Sequence, residues 1–62
     1  KVQQVLQITD EDASTTGCYI AKINRRTYEY SFGKSDAKVY ESHKEITLDQ
    51  ASLWTETEII NL

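Results

Sequence analysis

The chain has 62 residues, a net charge of −3 and a single cysteine. A domain this short buries only about 60% of its unfolded surface, and two usual staples are excluded: Cys18 has no intrachain partner, and one Cys with His43 cannot supply a four-ligand zinc site. Self-association into a homodimer is the supplement that remains, and no apolar run reaches the roughly 18 residues that cross a bilayer.

Sparse cysteine also suits a reducing compartment. No signal peptide is visible, so a soluble cytoplasmic domain is expected; the chain opens on Lys1 rather than Met, which leaves room for residues before it. Charge is unevenly spread: residues 1–19 carry −2, residues 20–44 carry +3 and residues 45–62 carry −4. A basic face on an acidic protein would give this pattern, and so would ordinary solvated charge.

Residues 2–9 (VQQVLQIT) read as a strand with Val2, Leu6 and Ile8 on one face, although Val2, Val5 and Leu6 would also fit one helical turn. The acidic, hydroxyl-rich stretch 10–17 (DEDASTTG) is a loop. Its three leading acids do not complete a calcium loop of EF-hand pattern, because the sixth and twelfth positions from Asp10 hold Thr15 and Ala21 instead of Gly and Glu, so calcium is a remote alternative.

Residues 18–32 (CYIAKINRRTYEYSF) predict an antiparallel hairpin turning at Arg25-Arg26, around which the other elements are arranged. Strict alternation pairs Ile23 with Tyr28, Ala21 with Tyr30 and Tyr19 with Phe32 on one aromatic face. The other face then holds Cys18, Ile20 and Lys22, with Lys22 opposite Glu29. A turn at Asn24-Arg25 keeps the same faces. Gly33 closes a second turn; the Gly33-Lys34-Ser35 triplet is no phosphate loop, since the required earlier Gly is Tyr28. Residues 38–41 (KVYE) make a short extended segment with Val39 or Tyr40 inward.

Thr47, with Gln50 three residues on, forms a capping box that predicts a helix over 48–55. Leu48, Ala51 and Trp54 would then lie over the aromatic face of the hairpin. Thr57, Ile59 and Ile60 favour a closing strand through Leu62, in preference to a helix continued to the end. The fold expected is α+β: a small antiparallel sheet of three to five strands with one short helix packed on one face, in a single domain over residues 1–62.

Catalysis finds little support. His43 is the only imidazole and sits in a polar stretch, and a Cys18–His43 nucleophile pair has no third orienting group nearby in the sequence. No cofactor or metal is expected. Tyr19, Tyr28, Tyr30 and Phe32 beside Lys22, Arg25, Arg26 and Lys34 resemble the kit of single-strand nucleic-acid binders. A chain with so few other large apolar groups is expected to use those rings as core instead, and Trp54 with them.

Residues 19–23 (YIAKI), 28–32 (YEYSF), 36–42 (DAKVYES) and 47–54 (TLDQASLW) together resemble small uncharacterised proteins of bacteriophages and prophages of Gram-positive bacteria. The resemblance implies an accessory protein of phage or mobile-element type, with no catalytic residues to carry over. The functional expectation is therefore a non-enzymatic, dimeric protein-interaction module contacting its partner through Lys22, Arg25, Arg26 and Lys34. The alternative is a nucleic-acid-binding accessory protein using the same four residues, and a remoter one is an enzyme fragment completed by another chain. No membrane role is expected.

Overall fold

Aliphatic side chains in a short alternating run make Gln4–Ile8 the first strand, β1, and its position in the sheet makes it the hub. The computed structural model describes residues 2–62; Lys1 lies outside the described residues. Strands β2 (Tyr19–Asn24), β3 (Thr27–Ser31) and β4 (Thr57–Asn61) complete a four-stranded sheet in the order β3-β2-β1-β4, antiparallel throughout. One helix, α1 (His43–Ser52), packs mainly against β1. The α+β architecture expected from the sequence is the one observed, including the closing strand.

As a central strand β1 is buried on both faces: Val5, Leu6 and Ile8 are all fully buried. Leu6 and Ile8 join Cys18, Ile20, Tyr40, Ile46 and Leu53 in one cluster. Each large aliphatic group removed from water there contributes about 1.5–3 kcal/mol. Its ladder with β4 is regular from Gln4↔Asn61 to Ile8↔Thr57. With β2 it is paired only around Gln7↔Tyr19, where Ile8 also exchanges backbone bonds with Gly17 and Cys18.

Below that point β1 and β2 separate, and residues 37–40 fill the fork. Tyr40 exchanges two backbone bonds with Gln4 (2.9 and 2.8 Å), and the Lys38 amide donates to the Ile20 carbonyl at 2.9 Å. Opposite this wedge the β2–β3 register slips: Ile20 faces Tyr30 and Lys22 faces Glu29, leaving Ala21 as an extra residue. Such a bulge shifts the side-chain parity and bends the strand.

The bulge corrects the expected faces. Near the turn the alternation holds, with Lys22↔Glu29, Ile23↔Tyr28 and Asn24↔Thr27. Beyond Ala21 it inverts, so Ile20 and Cys18 enter the core while Tyr19 pairs with Ser31 instead of Phe32. The aromatic face is accordingly no core. Tyr28 packs only at the margin of the cluster, Tyr30 is 48% exposed and Phe32, beyond the last residue of β3, is 84% exposed. Aliphatic groups of β1, β2 and α1 fill the interior in their place.

The helix also departs from expectation. Ser42 caps it, its hydroxyl accepting from the Glu45 amide at 3.3 Å, in the pattern Ser-x-x-Glu. Thr47 lies inside the helix, its hydroxyl donating to the carbonyls of His43 and Lys44 at 3.0 Å each. Starting earlier rotates the buried stripe to Ile46 and Leu53, leaving Leu48 exposed and placing Trp54 two residues past the helix end, 78% exposed.

Candidate functional site

A two-residue turn joins Asn24 to Thr27, braced by the Thr27 hydroxyl donating to the Asn24 carbonyl at 2.8 Å. Turns this short that carry positive φ at their first central residue normally place Gly there. Here Arg25 occupies the position at φ 59, the one non-glycine residue with positive φ among the described residues. A β-carbon in that region costs roughly 1–2 kcal/mol.

The bent hairpin brings this turn onto the end of α1. Ser52 donates through its hydroxyl to the Arg25 carbonyl at 3.3 Å and to the Asp49 carbonyl at 2.8 Å. The Arg26 guanidinium lies 4.4 Å from the centroid of the Trp54 ring. Between turn and helix end opens a concavity of about 1000 Å³, with Asn24 to Thr27 on one side and Ala51, Ser52 and Trp54 on the other. Two guanidiniums and an indole line it, and among the described residues no carboxylate does. Part of this is structural, since α1 has no base in its last turn. Cations beside that end complement the helix dipole, worth about 0.3–1 kcal/mol.

Of the four basic residues singled out in the sequence, Arg25 and Arg26 therefore share the cleft. Lys22 stands behind the turn on β2, opposite Glu29. Lys34 opens a single 3-10 turn, Lys34–Asp36, past the far end of β3, so the structure does not bring it to the other three. Trp54, expected inside, could not be placed here from sequence: it is 28 positions from Arg26, and only the folded hairpin joins them.

A second cation–ring contact lies at the wedge. Lys38 Nζ sits 4.8 Å from the Tyr40 ring centroid and 3.3 Å from Asp49 Oδ2, to which the Tyr40 hydroxyl donates at 2.5 Å. Burial first, then the bond to Asp49, pushes the Tyr40 phenol well above its ordinary value. These contacts, part-buried at Tyr40 and open at Lys38, tie the wedge to the helix.

Cys18 is buried, whereas His43 is exposed at the first turn of α1, and no hydrogen bond joins them. Among the described residues no three His, Cys, Asp or Glu side chains gather as a metal site, and no helix is long and apolar enough to cross a membrane. Comparison with protein-family models, curated proteins and solved structures returns no match.

Proposed function

We propose that this chain is a small non-enzymatic binding module, of phage or mobile-element accessory type, that contacts a protein partner through the cleft formed by Arg25, Arg26 and Trp54. The observation that carries the reading is an exposed indole with one of two adjacent guanidiniums over its ring, on a turn that keeps Arg where Gly would be relaxed. Trp and Arg dominate the energetics of protein interfaces, and a strained non-glycine residue motivates a functional role for its side chain. The sheet's two open edges and the modest core support a homodimer, and the buried lone thiol supports a reducing, cytoplasmic setting.

Sedimentation over a concentration series tests the dimer, and a monomer at the highest concentration removes it. Repeating it with Trp54→Ala and with Arg25→Glu/Arg26→Glu tests the surface. Unchanged association in both variants removes the cleft as the dimer contact and leaves the sheet edges to make it.

A nucleic-acid accessory role through Lys22, Arg25, Arg26 and Lys34 is the second reading, favoured by the open rings of Trp54 and Phe32. Against it stand the net charge of −3 and the separation of Lys34 from the other three cations. Absence of oligonucleotide binding at low salt ends it.

A further inference from the structure

Among the described residues two cations lie over aromatic rings, and their surroundings differ. At Tyr40 the ammonium of Lys38 has its counter-charge, Asp49, at 3.3 Å. At Trp54 the guanidinium of Arg26 is joined by a second, Arg25, and no carboxylate of the described residues lines the space they face. A guanidinium held over an indole face has lost part of its side-chain freedom, and its planar fork takes a carboxylate by two parallel bonds. Arg25 adds a second fork one residue away.

The remaining bases do not extend this pair into a track. Among the described residues, Lys38 is paired with Asp49, Lys22 sits opposite Glu29, Lys34 lies beyond the other end of β3, and Lys44 stands in the first turn of α1, at the helix end away from the cleft. A nucleic-acid strand carries a phosphate about every 3.4 Å and is held by rows of cations. Two adjacent forks beside an open indole match a localised cluster of carboxylates instead.

We infer that the cleft seats a short acidic peptide segment of a partner protein, with carboxylates on the Arg25 and Arg26 guanidiniums and the methylene stems of the segment lying along Trp54. This inference rests on the contact reading of the same cleft and adds the chemistry of its ligand.

Trp54 is the only tryptophan, so its emission reports on this cleft alone. The intact chain is titrated at low salt with a short Glu-rich peptide, a Lys-rich peptide of equal length and a single-stranded oligothymidylate. Anisotropy of labelled probes is read in parallel, so that a silent indole is not mistaken for absent binding. The expected result is saturable binding of the Glu-rich peptide alone, abolished at high salt. Arg26→Ala weakens it about tenfold or more, and Arg26→Lys, which keeps the charge and loses the fork, fails to restore it. Tighter binding of the oligothymidylate, equal binding of both peptides, or no binding of any probe overturns the inference. If the Glu-rich peptide is ignored while Trp54→Ala abolishes self-association, the contact surface stands and only its acidic ligand is refuted. If both fail, the cleft has no binding role.

Discussion

Around Leu6 every neighbouring element contributes apolar groups, and its side chain has no exposure at all. Around Trp54 the chain does the reverse, leaving its largest ring 78% exposed beneath a guanidinium and holding the neighbouring Arg25 in a left-handed backbone. The first arrangement lowers the free energy of the fold; in the second, backbone strain of roughly 1–2 kcal/mol at Arg25 offsets the helix-dipole gain of about 0.3–1 kcal/mol. Regions that persist without stabilising the molecule are where a contact with something else is to be sought. Substitutions in the two places should therefore separate stability from binding.

The largest effect belongs to the centre. Leu6→Ala should cost about 2–5 kcal/mol in urea unfolding, a large fraction of the roughly 3–9 kcal/mol usual for a chain of this size; a loss below 1 kcal/mol would show that the hub is elsewhere. Tyr40→Phe removes the bond to Asp49 and should cost about 1–3 kcal/mol. It also carries a pH signature. Because the folded phenol is held above its unfolded value, its stabilisation is complete below about pH 10 and is lost as pH rises further, the unfolded tyrosine giving up its proton first. Urea titrations in alkaline buffers should show a decline in the parent that Tyr40→Phe flattens.

Ser42→Ala should cost about 1 kcal/mol through the lost cap, while Thr47→Ala, inside the helix, should cost less; the reverse order would restore the later helix start. The smallest effect marks the other region. Arg25→Gly relieves roughly 1–2 kcal/mol of backbone strain and adds about 0.5–1 kcal/mol of chain entropy. It should leave thermal stability unchanged or raised while peptide binding falls. A clear destabilisation would mean that the Arg25 side chain serves the fold.

Local chemistry made much of the architecture legible. The β-branched pair at Ile59 and Ile60 pointed to β4, and the tight turn fixed the register of its nearest pairs, because a hairpin turn sets the residues beside it directly. What failed depended on distant partners. The slip at Ala21 coincides with residues 37–40 entering the fork between β1 and β2, and no reading of residues 18–32 alone contains that wedge. The helix start is a different kind of miss: Ser42 with Glu45 has the same capping spacing as Thr47 with Gln50, and the fold uses the earlier pair. Of the candidate site, the two arginines were visible as a charged turn. Their association with Trp54 was not, because it requires the hairpin to bend back to the end of α1.

The pairing of Gln4 with Asn61 sets the order of events during synthesis. β1 leaves the ribosome first, yet one of its edges stays bare until β4 has emerged as well. An unpaired apolar edge is what holdase chaperones and neighbouring nascent chains recognise. The strand that ends most deeply enclosed is thus the one that waits longest for cover.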